Sequence, residues 1–226
     1  MHTNIDKFPP IDITNSEAPV FASLFPHQSI AALPVAAADT LRAIFTQLKP
    51  GEDPAPVALV LGWDAVRPTL DVVGIDPRYL NDGKSKEMLA LGFRDMILKR
   101  RAMDQETYAV AFINAAWFKA FKPSDIHLIR TADDNGLQGE AEKLEVVLVD
   151  TIWQDGQRIL ISQVERSETG APKLQEPWRD MSAGATAVRN RFWHTIAPAL
   201  CAPSYADAVL AAFEGEKDLP SEDRPS

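Results

Sequence analysis

Cysteine is almost absent from this chain of 226 residues, which contains only Cys201. A single cysteine excludes an internal disulfide and cannot by itself build a cysteine-based metal site. The four histidines, His2, His27, His127 and His194, show no metal-ligand spacing with one another or with Cys201. We therefore predict no metal and no cofactor, and the low cysteine content fits a reducing compartment such as the cytoplasm.

Long apolar runs and a surplus of positive charge are also missing. No run of about 18 apolar residues occurs, and the N-terminal segment has no basic region followed by an apolar core. We therefore expect neither a membrane span nor a signal peptide. The 32 acidic and 23 basic residues give a formal net charge of −9. This charge disfavours direct binding to nucleic acid or to an anionic membrane, and it is ordinary for a soluble domain.

Composition divides the chain into an arm, a body and a tail. Residues 1–34 are rich in proline and have little periodicity, which predicts an extended arm packed on the body. Residues 35–214 are predicted to form a single domain, because a chain of this length that is 46% hydrophobic can bury a substantial core. Residues 215–226 are charged and are predicted to form a flexible acidic tail.

Apolar periodicity sets the predicted fold class. Helical spacing is found over residues 36–48, 84–103, 183–196 and 204–214, whereas β-rich runs occupy residues 57–63, 69–75 and 108–118 and a hairpin over 144–166. The polar segment 119–143 is predicted to be a surface loop. Hairpins dominate over alternating βα units. The sequence therefore predicts an α+β fold with a mainly antiparallel sheet of about five strands and flanking helices.

The hairpin carries the strongest local signal, because Asp155-Gly156 separates two β-branched runs and favours a type I′ turn. Such a turn would place Trp153 opposite Arg158 near the tip. An exposed tryptophan and arginine are typical of binding hot spots, so we predict Trp153, Arg158 and Trp178 as partner-binding residues. The alternative, that they cap the hairpin against a helix, is the more common arrangement.

Four polar residues would form the site if the protein were an enzyme. Asn114 lies in the middle of a predicted central strand, where its amide needs hydrogen-bond partners. Asp150 lies on a strand of the hairpin, where its carboxylate has the same need. His194 and Cys201 suggest nucleophilic chemistry, since a thiolate needs a neighbouring base. A buried structural cysteine and a helix-end histidine are more common. A site would require these side chains to converge in one pocket.

Two basic segments resemble phosphate-binding motifs. Gly83-Lys84-Ser85 begins a predicted helix, but the earlier glycine of a phosphate loop would fall at Arg78. The run Lys99-Arg100-Arg101 could meet phosphates, although it lies at a predicted helix C-terminus, where cations complement the helix dipole. The second interpretation is favoured, and no nucleotide site is predicted.

The runs AFINAAW, LEVVLVDTIWQDGQRILISQVERSETGAPKL and DMSAG resemble a diffuse group of uncharacterised bacterial and mobile-element proteins over about residues 108–184. The resemblance implies an α+β fold and a bacterial or phage setting, and it carries no functional residue. Because no coherent catalytic motif is present, we predict a cytoplasmic, non-enzymatic accessory protein of a bacterium, phage or plasmid, with an anti-defence or regulatory role.

Its most expected partner is another protein, and a homo-oligomer is compatible with the sequence. The alternative is a small-molecule-binding protein or an enzyme, with a pocket between the sheet and the C-terminal helices.

Overall fold

The computed structural model describes residues 10–11, 30, 33–64, 68–118, 143–182 and 191–202. The predicted helix over 204–214, the tail over 215–226 and nearly all of the predicted loop and arm lie outside the described residues. The described part has an antiparallel sheet with helices packed on both faces, which confirms the α+β class. No helix within it is long and apolar enough to cross a membrane.

The sheet has eight strands, with β1-β8-β6-β5-β4-β2-β3 as the order of neighbours and β7 paired with β6 beside this path. The bounds are β1 Pro10–Ile11, β2 Val57–Trp63, β3 Pro68–Gly74, β4 Glu106–Phe118, β5 Leu144–Trp153, β6 Gly156–Arg166, β7 Pro172–Leu174 and β8 Trp178–Asp180. The five predicted strands are β2 to β6. The sheet is larger than predicted because β1, β7 and β8 are too short to carry a periodic pattern.

In the described part of the chain, three helices flank the sheet: α1 is Leu33–Phe45, α2 is Gly83–Arg101 and α3 is Arg191–Ile196. Helix α1 begins at Leu33, within the segment predicted as the arm. A single 3-10 turn, Pro77–Leu80, precedes α2, and another, Ala197–Ala199, follows α3. The Asp82 carboxylate caps α2 by accepting a hydrogen bond from the Ser85 backbone N–H at 2.8 Å. The segment after Asp82 is therefore a capped helix start.

The two faces of the sheet are covered by different helices. On the α1 face, alternate strand residues such as Ala111 and Val149 pack with Leu41 and Phe45 of α1. On the α2 face, the intervening residues pack with α2 and α3. Phe112 lies at the centre of this second layer, with its ring 4.9 Å from that of Phe93 and 4.8 Å from that of Phe192. The alternation of side chains along each strand thus feeds two separate cores.

The hairpin of β5 and β6 has a different register from the one predicted. Trp153 lies opposite Gly156, and Arg158 lies opposite Thr151, so the two-residue loop is Gln154 and Asp155. A slide of two residues keeps every side chain on its predicted face but separates Trp153 from Arg158.

Packing explains the shift in register. The Trp153 indole lies against Gly156, where any Cβ would overlap the ring. The Trp193 indole N–H also donates to the Gly156 carbonyl oxygen at 3.1 Å. Neither Asp155 nor Gly156 has a positive φ, so the type I′ prediction is wrong.

Candidate functional site

A diagonal row of polar side chains crosses three neighbouring strands on the α2 face. Asp150 of β5 pairs with Phe112 of β4 on one side and with Ile159 of β6 on the other. Asn114 lies two residues after Phe112, and Gln157 lies two residues before Ile159. Both side chains are therefore on the same face of the sheet as Asp150. Residues in this diagonal relation are about 7–8 Å apart. The structure therefore places two predicted site residues, Asn114 and Asp150, side by side.

A hydrogen bond joins Gln157 and Asp150 of this row, whereas the Asn114 side chain bonds the backbone of its own strand. The Asp150 side chain is buried, and its carboxylate accepts a hydrogen bond from the Gln157 amide at 2.7 Å. The amide of Asn114, which is half-buried, donates to the Ala115 carbonyl oxygen at 3.1 Å. Amide groups do not titrate in the physiological range, so the row can orient a hydrogen-bonding ligand but supplies one acid–base group, Asp150.

His194 and Cys201 have different neighbours. His194 is exposed on α3, and its ring meets that of Trp193 edge-on at 5.3 Å. Cys201 is half-buried, and its Sγ accepts a hydrogen bond from the Arg101 guanidinium at 3.5 Å. The 3-10 turn after α3 carries the chain to the start of β4, where the Cys201 N–H donates to the Thr107 carbonyl oxygen at 2.8 Å. No hydrogen bond joins the histidine and the thiol within the described residues.

The residues predicted to bind a partner are not an exposed patch. The expectation of an exposed Trp178 is wrong, because its side chain is fully buried in the core beneath α1. Trp153 is half-buried over Gly156, and the Arg158 side chain, 28% exposed, donates from Nε to Asp180 at 2.9 Å. These contacts support the structural alternative, in which the hairpin tip is packed rather than presented.

Helix α2 instead exposes apolar side chains. Met88 is 57% exposed and Leu98 is 45% exposed, and Met103, two residues beyond the end of the helix, is 63% exposed. Together with the half-buried Leu91, they follow the outward side of the helix, because Met88, Leu91 and Leu98 recur at intervals of three and seven residues. We call these four residues the α2 surface.

The charges of α2 contrast with those of the whole chain. Six basic residues and two acidic ones lie on the helix, which gives it a net charge of +4 (six minus two): Lys84, Lys86, Arg94, Lys99, Arg100 and Arg101 against Glu87 and Asp95. Arg94 pairs with its neighbour Asp95 at 3.2 Å. Helix α2 is thus basic on a chain of net charge −9, although one of its six cations, Arg100, is paired with Asp71 of β3.

A second polar cluster, which the sequence did not predict as a site, surrounds Gly62. Gly62 of β2 pairs with Thr69 of β3 on one side and with Thr107 of β4 on the other. The Arg100 side chain lies across this glycine, with Nη2 3.3 Å from the Thr69 hydroxyl and Nη1 in an ion pair with Asp71. A Cβ at position 62 would lie 3.2 Å from the Arg100 guanidinium. Glycine is therefore what lets the arginine lie flat on the sheet.

Two buried polar atoms in this cluster have no hydrogen-bond partner among the described residues, namely Arg100 Nε and Thr107 Oγ1. Thr107 is 1% exposed. An unsatisfied buried polar group costs about 1–3 kcal/mol, so two in one place need an explanation. Two features of the sequence could have indicated this cluster, a glycine inside a strand and the run Lys99-Arg100-Arg101, but only the fold brings them together.

Comparisons of the chain with models of protein families, with characterised proteins and with solved structures find no match. Function must therefore follow from the surfaces and clusters of the molecule itself.

Proposed function

We propose that this protein is a non-enzymatic binding protein and that its α2 surface contacts an acidic partner protein. The observation that carries this proposal is the exposure of Met88, Leu98 and Met103 beside a surplus of basic residues. Interfaces are enriched in methionine and arginine, and exposed apolar groups rimmed by charge mark interaction sites. Methionine also adapts its shape to a partner surface.

Charge selects the class of partner. The positive potential of α2 steers an acidic surface toward it and repels a basic one. A second copy of this chain is a less favourable occupant in a two-fold arrangement, because such a dimer would bring two α2 helices, each of net charge +4, together. A homo-oligomer is therefore an outcome that the experiment must separate from the proposal.

The cellular setting belongs to the same proposal. The resemblance over residues 108–184 favours a bacterial or phage setting. The lack of a coherent catalytic motif in the sequence favours an accessory protein of a bacterium, phage or plasmid, with an anti-defence or regulatory role. The single cysteine and the acidic composition favour a cytoplasmic location.

The test is affinity capture from the source organism with matched variants. Leu98→Ser should reduce recovery of one stoichiometric acidic protein by at least tenfold, and Lys99→Glu should weaken it in a salt-dependent manner. Ile44→Ser is the control, because Ile44 is an exposed apolar residue of α1.

Equal recovery with the Leu98 and Ile44 variants would contradict the proposal. So would a concentration-dependent dimer in light scattering that Leu98→Ser abolishes, since the occupant would then be a second copy. Circular dichroism of each variant confirms that the fold is retained.

The polar row supports an alternative function, the binding of a small molecule between the sheet and the C-terminal helices. The observation behind this alternative is the diagonal row of Asn114, Asp150 and Gln157. Phe112, which lies opposite Asp150, connects this row to α3 because its ring contacts that of Phe192. Native mass spectrometry of the purified protein tests it. A metabolite retained by the wild type and lost in Asp150→Asn would favour this alternative over protein binding.

A further inference from the structure

The outward side of α2 has the residue spacing of a helix that packs against another helix. Six residues in a row are separated by alternating intervals of four and three, and none of them is buried: Lys84, Met88, Leu91, Asp95, Leu98 and Ala102. Alternating intervals of four and three define the a and d positions of a heptad repeat, which form the seam between two helices in a coiled coil. We call these six residues the α2 seam.

The seam is separate from the side of α2 that packs on the sheet. Ala90, Phe93 and Ile97 are buried, follow one another at intervals of three and four, and belong to the core shared with α3. One apolar stripe is enough to join a helix to the core of its own domain. The apolar residues of the seam therefore serve no core among the described residues, and their spacing fits a second helix.

The positions that flank the seam are mostly basic. In the same heptad frame the e and g positions are Ser85, Glu87, Gly92, Arg94, Lys99 and Arg101. Three basic residues and one acidic residue give these positions a net charge of +2 (three minus one), and the Lys84 and Asp95 charges within the seam cancel. Because e and g charges select the partner of a coiled-coil helix, this frame calls for glutamate or aspartate at the flanking positions of the other helix.

Asp95 marks the centre of the seam. Its side chain is 58% exposed and pairs with the neighbouring Arg94 at 3.2 Å. A helix laid along the seam would cover this carboxylate, and a covered charge is costly unless it is matched. A polar residue at one a position also fixes the register of two helices, so a basic residue is expected opposite Asp95.

We propose that the acidic partner binds α2 through an amphipathic helix that packs along the α2 seam at heptad spacing. Acidic residues of that helix lie beside Arg94 and Lys99, and one lysine lies opposite Asp95. This inference rests on the proposed function and names the element of the partner that makes the contact. The competing occupants are a second copy of this chain and the segment of residues 204–214, which lies outside the described residues.

The probe is a synthetic peptide of three heptads with isoleucine at a, leucine at d, glutamate at e and g, and lysine at the central a position. The glutamates keep the probe from pairing with itself. One control has lysine at e and g, and another has the composition of the probe in an order without heptad spacing. Fluorescence anisotropy with the full chain should show saturable binding of the probe and at least tenfold weaker binding of both controls.

Variants of the chain locate the probe on the seam. Leu98→Ser should weaken binding at least tenfold, whereas Ile44→Ser on α1 should leave it unchanged. Asp95→Lys should also weaken binding at least tenfold, and a probe with glutamate in place of its central lysine should restore it. Recovery by this exchange of charges is the result that a general attraction between acidic and basic surfaces would not give.

Equal binding of the ordered and reordered peptides, or no loss of binding with Leu98→Ser, would overturn the inference. If no peptide binds while affinity capture still recovers an acidic protein that depends on Leu98, the proposed function stands and the inference of a partner helix fails. It also fails if the chain forms a dimer that Leu98→Ser abolishes. Binding of a peptide of residues 204–214 as tightly as the probe would likewise assign the seam to this chain itself.

Discussion

Helices α1 and α2 cover opposite faces of one sheet, yet they differ in how they use their surfaces. Helix α1 has 13 residues and buries seven, whereas α2 has 19 residues and buries four. Ile44 is the one large apolar residue that α1 exposes, at 39%. The contrast shows that α1 is used for packing, whereas α2 leaves apolar side chains exposed.

Position in the sheet explains this difference. Helix α1 contacts β4, β5, β6 and β7, so it lies across the middle of the sheet. Helix α2 contacts β4 and reaches β3, an edge strand, through the ion pair of Arg100 with Asp71. A helix near a sheet edge keeps one side toward solvent. The proposed contact surface rests on the exposed leucine and methionines on that side.

Replacing one leucine by alanine in each helix should give the largest difference in stability between the two helices. Leu41 of α1 is 2% exposed, whereas Leu98 of α2 is 45% exposed. Leu41→Ala should lower the free energy of unfolding by about 2–5 kcal/mol, because it leaves a cavity. Leu98→Ala should change it by no more than about 0.5 kcal/mol. Urea denaturation measures both, and similar losses would mean that α2 also packs its outward side.

Substitution of Gly62, with Gly74 as a control, tests how closely Arg100 packs on the α2 face of the sheet. A Cβ at Gly62 would overlap the Glu106 carbonyl oxygen and crowd Arg100, whereas a Cβ at Gly74 meets nothing within 4 Å. Gly62→Ala should therefore destabilise the protein by about 1–3 kcal/mol through overpacking. Gly74→Ala is the control and should be close to neutral. A neutral Gly62→Ala would show that Arg100 does not need to lie on the sheet.

The unsatisfied threonines compare the two faces directly, since Thr107 lies on the α2 face and Thr151 lies opposite Arg158 on the α1 face. Replacing either by valine removes a buried hydroxyl without a partner, so each variant should gain about 1 kcal/mol of stability in chloride buffer. Thermal denaturation measures the gain. If Thr107→Val alone loses stability, the hydroxyl of Thr107 has a hydrogen-bond partner in solution.

The smallest expected effect concerns the turn before α2. Hydrogen bonds from Arg78 lower the pKa of Asp76 from 3.8 to about 2. Because the folded pKa is depressed, the pair contributes stability that is present above pH 3.8 and is lost as the pH falls through about 2.

Arg78→Gln should move the Asp76 pKa back toward 3.8, as followed by NMR titration. It should also flatten the acid limb of the stability curve over this range. An unchanged pKa in the variant would show that the pair does not form in solution.

Much of the fold follows from local patterns. Strands β2 to β6 and helices α1 and α2 each carry their own apolar period, so their positions could be predicted within a few residues. The short strands β1, β7 and β8 could not, because two or three residues define no period. The hairpin shows a limit of another kind: Asp155-Gly156 predicts the turn, but the contact of Trp153 with Gly156 sets the register.

The candidate sites were harder to predict, because they depend on contacts between distant segments. Asn114 and Asp150 could be nominated as polar residues in strands, but their diagonal relation follows from the pairing of β4 with β5. Trp178 is buried in a core that gathers residues from α1 and from several strands, so its burial follows from the tertiary structure. Arg100 and Thr107 are separated in sequence by the turn into β4, and the fold brings each of them to Gly62, which pairs with Thr107 and is crossed by the Arg100 side chain.

Photo-crosslinking tests the contrast between the two helices most directly. A photoreactive amino acid is placed at position 98 on α2 or, as the matched control, at position 44 on α1, and the protein is irradiated in its source organism. We predict an adduct with one acidic protein at position 98, lost on Lys99→Glu, and no such adduct at position 44. Identical adducts at both positions, or none at position 98, would contradict the assignment of α2 as the contact surface.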